Sequence, residues 1–272
     1  MASWAVVLAA LGLPEWTPFP GKARAMRGRG YLRGMMATRV RERRQSGARH
    51  DDLLSLLLDA RDPETGAALS DTDVIDNILT FIGAGHETTA LALTWTYYLL
   101  SQHPEVEAKI LAEIASITGG AALEAGQVAD LAYTRQAVME AMRVYSPVSM
   151  IGRTVMQGFR IGNQDLQAGD RLLVPIHAVH HHAMLWERPG DFDPDRFAPE
   201  AAKMRHRFAW MPFGAGPRIC IGMQFALLEA VAILGTLLPS VRLRAKPGYV
   251  PVPISRVTTR PDQGMPMTVA RR

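Results

Sequence analysis

The chain has one cysteine among its 272 residues, and this scarcity excludes two classes of protein. A single cysteine forms neither an internal disulfide framework nor a four-cysteine zinc site. Long apolar runs are also lacking, because the run at residues 4–13 is about half of the ~20 residues that a membrane span needs. No lysine or arginine leads into this run as in a secretory signal. We therefore expect a reduced, cytoplasmic protein with no membrane span in this chain.

The composition is that of a globular protein, since hydrophobic residues make up 48% of the chain and charged residues 21%. Glycine and proline divide the chain, but no internal repeat is present. Strand-like pieces broken by glycine or proline occur between residues 148 and 179 and again after residue 241. The predicted fold class is mainly α, of the α+β type, with a long central helix and small β-sheets.

Helix boundaries are marked by capping residues and by proline. Ser70 and Asp73 form a capping box that opens a mostly apolar helix reaching to about residue 100. At that length the helix crosses a whole domain, so we expect it to be central and buried. Pro104 opens the next helix, and Asp130 is predicted to cap a third.

Positive charge is concentrated in residues 22–44, where nine basic residues face one acid. This segment carries +8, so the rest of the chain sums to −4 because the total is +4. A surface for nucleic acid or an anionic membrane is one interpretation. The other is a solvated helix face above apolar residues such as Tyr31, Met36 and Val40. We favour the second, because no nucleic-acid module accompanies the charge, and we expect no nucleic-acid partner.

The cysteine lies in an unusual setting, the glycine-rich run F-G-A-G-P-R-I-C-I-G at residues 213–222. A lone intracellular cysteine is usually a small buried hydrophobe. Here two glycines precede Cys220 and an apolar helix is predicted to start at it, so backbone N–H groups and the helix dipole favour a thiolate. Arg218 adds positive charge for an acidic group nearby. A haem iron and a haem propionate require such a thiolate and such an arginine.

This run resembles the F-G-x-G-x-R-x-C-x-G signature of the cytochrome P450 family and matches it at every fixed position. The resemblance implies that Cys220 is the axial thiolate and the metal ligand of haem b, and that Arg218 binds a propionate. Phe213, Gly214 and Gly222 are implied to complete the cofactor-binding loop. Three further motifs agree with this resemblance in order and separation.

The first motif is A-G-H-E-T-T, beginning at Ala84 in the middle of the long helix, and it resembles the family's oxygen-activation motif. Gly83 and Gly85 each cost about 1 kcal/mol relative to alanine, which predicts a local distortion or a close approach to a ligand. The resemblance implies that Ala84 and Gly85 approach the haem and that Glu87 and Thr88 deliver protons. If the motif is taken without the family resemblance, a buried helix that tolerates polar side chains through hydrogen bonds to its own backbone is an equal alternative.

The second motif is E-x-x-R at Glu140 and Arg143. On any helix this spacing is usually a weak surface pair. The resemblance implies instead a buried ion pair joined by Arg196, a structural network that clamps the loop leading to the cysteine. In the third motif, Arg153 is implied to reach a haem propionate.

A substrate pocket is implied for Phe81, Val148 and Met150, for which ordinary core packing is the alternative. Four histidines between residues 177 and 182 also invite a metal-site interpretation. A strand would send consecutive histidines to opposite faces, so we expect no joint metal site. Family positions similar to His180 often carry a histidine that contacts haem or structure, which makes His180 a candidate cofactor contact.

The resemblance covers nearly the whole chain but not the whole family domain, because the long helix begins near residue 71. We therefore expect residues 1–272 to form a truncated catalytic domain without its N-terminal elements. The implied activity is a haem-dependent monooxygenase that inserts one oxygen atom from O₂ into a fatty-acid-like or other hydrophobic small molecule.

Electrons for this reaction would come from NAD(P)H through a separate partner, which is a ferredoxin, a flavodoxin or a flavoprotein reductase. One alternative is a non-catalytic truncated remnant that binds haem weakly. A haem-thiolate isomerase or peroxygenase is another, although the pair of Glu87 and Thr88 favours O₂ chemistry.

Overall fold

The computed structural model describes Pro14 and residues 16–272, so the apolar run at residues 4–13 lies outside the described residues. The chain divides into two compact units, Met1–His86 and Glu87–Arg272, and each is described by itself. Among the residues with described positions, no helix combines the length and the apolar character needed to cross a membrane.

The first unit is helical. Its helices are α1 (Lys22–Ser46), α2 (Leu53–Asp59) and the first part of α3 (Asp71–Gln102). They enclose a small apolar core in which Val40 and Val74 are buried. The predicted helix beneath the basic residues is confirmed as α1, although Val40 is its only buried residue.

The basic face of α1 is solvated and partly neutralised by acids of the same unit. Its ion pairs join Arg33 to Asp76, Arg43 to Asp52, and Arg44 to Asp71. Most of these side chains are partly exposed, so each pair contributes little to stability. Their effect is to lower the local positive charge that the sequence concentrates on this helix.

The predicted capping box at the start of α3 is confirmed. The Ser70 hydroxyl donates to Asp73 Oδ2 at 2.6 Å, and the Asp73 backbone N–H donates to Ser70 Oγ at 3.2 Å. The Ser70 hydroxyl and the Ser70 backbone N–H, which is 3.1 Å from Asp73 Oδ2, both donate to the carboxylate and so lower the pKa of Asp73. A charged carboxylate at this position also favours the helix through its dipole.

The second unit packs its helices around the main apolar core. They are the end of α3, α4 (Pro104–Thr118), α5 (Ala132–Val144), α6 (Ile176–His180), α7 (Pro199–Lys203) and α8 (Met223–Leu237). The largest fully buried apolar side chains of this core include Leu100, Ile110, Leu131, Leu227 and Leu234. This helical layer supports the loops that carry the candidate site.

Four two-stranded antiparallel sheets complete the second unit, as the strand-like pieces predict. In chain order the strands are β1 (Ile151–Thr154), β2 (Phe159–Ile161), β3 (Gln164–Leu166), β4 (Arg171–Val174), β5 (Val241–Ala245), β6 (Pro253–Ser255), β7 (Thr259–Pro261) and β8 (Met267–Arg271). The pairs are β1 with β4, β2 with β3, β5 with β8, and β6 with β7. The fold is mainly α with small sheets, as expected.

The predicted cap of α5 is wrong. Asp130 ends a short 3₁₀ helix, and the N-cap position of α5 is Leu131, which makes no side-chain cap. Glu113 of α4 caps the helix from outside, because its carboxylate accepts the backbone N–H groups of Tyr133 at 2.6 Å and Thr134 at 2.8 Å. A carboxylate 20 residues away can replace a local cap because packing of α4 against α5 brings it there.

The expectation of a helix buried along its whole length also needs correction. The last part of α3 is buried in the core of the second unit, whereas residues 82–87 are all exposed. The helix continues through Gly83 and Gly85 without the predicted distortion. A Cβ atom at either glycine would meet no atom of the described chain within 4 Å. The other expectation, a close approach to a ligand, stays a prediction.

Gly235 in α8 provides a test of packing in this core. A Cβ atom at this position would lie 2.7 Å from Leu123 and 2.8 Å from Leu131, both at side-chain methyl carbons. We expect Gly235→Ala to lower the free energy of unfolding by about 1–3 kcal/mol through overpacking. Gly28→Ala in α1 is the control, because its Cβ meets nothing within 4 Å and alanine favours helix. Chemical denaturation measures both, and equal effects would contradict the packing argument.

Candidate functional site

The cysteine loop is shaped by two glycines with left-handed backbone. Gly214 has φ 75° and Gly216 has φ 72°, a region that side-chain-bearing residues rarely adopt. Between them and the cysteine, residues Gly216–Arg218 form one 3₁₀ turn. The Cys220 backbone N–H donates to the Phe213 carbonyl at 2.9 Å and so closes the loop.

The loop leaves the Cys220 side chain exposed, as a free thiol. The predicted helix start at Cys220 is wrong by a few residues, since α8 begins at Met223 with Gly222 as its N-cap. Gly222 also lies close to the thiol, because a Cβ there would be 3.9 Å from the sulfur. The sulfur therefore lies just ahead of a helix N-terminus, which favours negative charge.

Two apolar side chains that follow Cys220 in the chain are exposed, and so are the two candidate arginines. Ile221 is 85% exposed and Phe225 is 71% exposed. Arg218 and Arg153 are both exposed, and neither has a carboxylate partner within the described part of the chain. Exposed apolar side chains together with arginines that lack a carboxylate partner are typical of a ligand-binding face.

Strand β1, which carries Arg153, is next to the cysteine loop. A Cβ atom at Gly214 would be 3.9 Å from Ile151 Cδ1, and Ile151 begins β1. The register of β1 with β4 pairs Arg153 with Leu172. The structure thus brings the Arg153 strand to the loop that holds Arg218 and Cys220.

Glu140 and Arg143 form a fully buried ion pair. The distances are 2.7 Å from Arg143 Nε to Glu140 Oε2 and 2.8 Å from Arg143 Nη2 to Glu140 Oε1. The remaining guanidinium protons are donated at 2.8 Å to the backbone carbonyls of His180, Pro189 and Asp191. All five donors of the buried guanidinium are therefore satisfied.

Arg196 joins this pair, with its Nε 3.3 Å from Glu140 Oε1. The backbone N–H of Asp193 donates to the same carboxylate at 3.0 Å. Burial raises the pKa of Glu140, and the hydrogen bonds from Arg143 act in the opposite direction. Glu140, Arg143 and Arg196 thus meet, and they hold backbone groups of residues 189–193 in the segment that leads to the cysteine loop.

His180 is fully buried beside this network. Its Nε2 accepts the backbone N–H of Met211 at 2.9 Å, just before the cysteine loop. Burial lowers the pKa of His180 to about 3, so the ring is neutral at physiological pH. The partners that the structure gives His180 are protein groups.

The histidines do not alternate along a strand as predicted, because His177 and His180 lie on the short helix α6. The rings of His177 and His181 are 4.2 Å apart. Burial lowers the pKa of both of these rings. Across Pro14 and residues 16–272, no group of three or more His, Cys, Asp or Glu side chains is placed to hold a metal ion.

Glu87 is held by a residue that sequence reasoning missed. The Thr258 hydroxyl donates to Glu87 Oε1 at 2.7 Å. Thr258 is buried in the turn between β6 and β7, at a separation of 171 residues from Glu87. No local pattern signals such a contact. Thr88, the next residue, is half-buried on α3.

The same hairpin supports the segment that carries Val148 and Met150. The Thr259 backbone N–H donates to the Pro147 carbonyl at 2.8 Å, and Trp95 Nε1 of α3 donates to the Thr259 carbonyl at 3.1 Å. Val148 is half-buried and Met150 is exposed. The hairpin β6–β7 thus links this segment to α3 within the second unit.

The remaining candidates lie in the first unit, on α3. Phe81 is half-buried, whereas Ala84 and Gly85 are exposed. Their proposed contacts with substrate and cofactor stay predictions.

In a comparison with known protein families, residues 13–265 match the family model described as Cytochrome P450. A curated relative, the cyclooctat-9-en-7-ol 5-monooxygenase of Streptomyces melanosporofaciens, is 42% identical over 241 residues. That alignment covers 89% of this chain and 52% of the relative. The cytochrome P450 4A2 of Rattus norvegicus is 35% identical, over 80% of this chain and 43% of its own length.

Solved structures agree with these sequence relatives. The crystal structure of the cytochrome P450DA heme domain matches with a TM-score of 0.85 at 35% identity, over 89% of this chain and 54% of that one. The chain spans about half the length of the curated relatives that it matches.

Proposed function

Since the chain belongs to the cytochrome P450 family, we propose that it carries the haem-thiolate centre of a monooxygenase. The reaction would insert one oxygen atom from O₂ into a hydrophobic small molecule. The observation that carries the proposal is the exposed Cys220 thiol in a loop turned by two left-handed glycines, with the exposed Arg218 two residues before it in the chain.

The residues present fit a haem group. The thiol is accessible, and the exposed apolar side chains of Ile221 and Phe225, one and five residues after it in the chain, offer contact to a porphyrin ring. Arg153 and Arg218 supply two exposed guanidinium groups that have no carboxylate partner among the described residues, and such groups suit two propionates. Arg153 Nη1 donates to the Gly152 carbonyl at 2.8 Å. We propose that these arginines and Cys220 hold haem b, with Phe213, Gly214 and Gly222 shaping the loop.

When bound, the haem supplies the activation of O₂ for oxidation of a C–H bond. The chain's own residues then have three tasks. Cys220 provides the thiolate ligand, and Glu87 with Thr88 holds and passes protons from water. Thr258 keeps the Glu87 carboxylate in one orientation through its 2.7 Å hydrogen bond.

The substrate we propose is hydrophobic, either fatty-acid-like or another small molecule, and Phe81, Val148 and Met150 would line its pocket. The similarity to the cyclooctat-9-en-7-ol 5-monooxygenase of Streptomyces melanosporofaciens supports an apolar substrate. Electrons would come from NAD(P)H through a ferredoxin, a flavodoxin or a flavoprotein reductase. We further propose that residues 1–272 form the C-terminal part of a larger catalytic domain, since the matched relatives are about twice as long. The proposed location of the protein is the cytoplasm.

The test is a haem titration of the purified chain, followed by the absorption spectrum of the reduced carbon monoxide complex. A red-shifted Soret band typical of a thiolate ligand supports the proposal. No haem uptake, either by the chain or by a chimera that places the first half of the 42% identical Streptomyces relative ahead of it, would support the alternative of a non-catalytic remnant.

The chain by itself is expected to bind haem weakly and to self-associate. Its exposed apolar side chains include Ile82, Ile221, Phe225, Leu228 and Leu237. Large exposed apolar patches favour association over a soluble monomer. Haem content and oligomeric state are measured together on the same sample. A soluble monomer with one haem per chain and coupled hydroxylation would contradict this prediction.

Thr88→Ala is expected to leave haem content unchanged in the chimera and to divert electrons from product to hydrogen peroxide. The hydroxyl is assigned to proton delivery, which contributes about 10²–10⁴-fold to a rate, whereas Cys220 holds the cofactor. Peroxide and product are quantified per NAD(P)H consumed. Thr94→Ala is the control, since this half-buried threonine of the same helix donates its hydroxyl to the Ala90 carbonyl of its own helix at 2.7 Å. Equal product per electron in Thr88→Ala and wild type would exclude the assigned role.

A further inference from the structure

We infer that His180 is a positioning residue that anchors the start of the cysteine loop through the Met211 backbone N–H. His180 lies in a helix 40 residues before Cys220 in the chain. Its ring nevertheless accepts a hydrogen bond from Met211, which lies just before the cysteine loop. The anchoring of the loop by His180 does not depend on the proposed function. The consequence of this anchoring for the ligation of haem iron rests on the proposed function.

The hydrogen bonds of the buried ring support this role. Because Nε2 accepts the Met211 N–H at 2.9 Å, the proton of the neutral ring is on Nδ1. Nδ1 is buried and has no hydrogen-bond partner among the described residues. A buried donor without a partner costs about 1–3 kcal/mol. An apolar residue would avoid that cost, so the structure assigns the histidine to the acceptor function of Nε2.

A short series of backbone hydrogen bonds leads from His180 to the cysteine. The Met211 carbonyl accepts the Gly214 N–H at 3.0 Å, which forms the first turn of the loop. The Phe213 carbonyl then accepts the Cys220 N–H at 2.9 Å. A shift of Met211 therefore changes the turn that positions the cysteine.

The other end of His180 is fixed by the buried ion pair. Its backbone carbonyl accepts Arg143 Nη1 at 2.8 Å, and Arg143 is held by Glu140 on the rigid helix α5. Trp210 adds a second anchor, since its Nε1 donates to the Met139 carbonyl at 3.1 Å. His180 thus connects the ion-pair network to the start of the loop. The connection is made at Met211, the residue after Trp210.

The experiment compares hydrogen exchange of the Met211 amide in three variants of the full chain, without haem. In His180→Gln the side-chain carbonyl reaches the position of Nε2 and keeps the acceptor. In His180→Asn the amide group lies at the position of Nδ1 and the acceptor is lost. His181→Asn is the matched control, because the ring of this neighbouring histidine bonds the His177 carbonyl instead of the loop.

We expect His180→Asn to accelerate exchange at Met211 roughly tenfold, the effect of losing one buried hydrogen bond. His180→Gln and His181→Asn are expected to stay within about twofold of wild type. An unchanged rate in His180→Asn, equal acceleration in His180→Gln, or uniform acceleration across the second unit would overturn the inference. Failure of the chain to bind haem would instead count against the proposed function, because these measurements use none.

Discussion

Replacing Cys220 with histidine is expected to abolish the thiolate spectrum of the haem-loaded chimera. Only a thiolate donates enough electron density to favour cleavage of the O–O bond, and the chain has no other cysteine to supply one. Imidazole is a neutral ligand, so the reduced carbon monoxide complex should lose its red-shifted Soret band. Turnover with the hydrophobic substrate should fall to background at the same time.

Circular dichroism distinguishes loss of the haem ligand from loss of the fold. Circular dichroism of Cys220→His should match the wild type, because Cys220 is exposed and its backbone N–H, which closes the loop on Phe213, is retained. Arg160→Ala, an exposed arginine whose nearest carboxylate is 3.6 Å away at Asp165, is the control and should leave the spectrum unchanged. A thiolate spectrum that persisted in Cys220→His would show that the ligand assignment is wrong.

Arg143→Ala is expected to have the largest effect on stability. The guanidinium is fully buried, and its removal leaves the Glu140 carboxylate in the interior with its main partner gone. Breaking a buried ion pair in this way costs about 3–5 kcal/mol, which is a large part of the ~5–15 kcal/mol net stability of a domain. Three backbone carbonyls, those of His180, Pro189 and Asp191, also lose their donor.

Lys203→Ala provides a matched comparison, because Lys203 pairs with Glu200 at the same i,i+3 spacing and at 2.7 Å, but on the exposed helix α7. We expect this change to cost less than about 1 kcal/mol, since water and side-chain entropy weaken an exposed pair. Urea denaturation monitored by circular dichroism measures both variants. Similar midpoints for the two would mean that burial does not determine the strength of the Glu140–Arg143 pair.

Arg143→Lys separates charge from geometry. Lysine keeps the positive charge but has three donors on one nitrogen, so it cannot bond Glu140 twice and still reach the three carbonyls. Its stability should therefore lie nearer to Arg143→Ala than to wild type.

The sequence by itself determined the features that depend on neighbouring residues. The capping box of Ser70 and Asp73 and the start of α4 at Pro104 need only local geometry, and both are found as predicted. The glycine-rich loop around Cys220 is also local, because glycine permits the left-handed turns found at Gly214 and Gly216. For the same reason the loop motif was sufficient to indicate the family.

Tertiary structure alone decided which distant groups meet. Glu113 displaces the predicted cap at Asp130, Thr258 reaches Glu87 across 171 residues, and His180 bonds Met211 across 31. Hydrogen bonds of this kind depend on how helices and hairpins pack, and no spacing in the chain encodes them. The exposure of residues 82–87 belongs to the same class, because hydrophobic periodicity predicts which face of a helix is apolar but not which partner covers it.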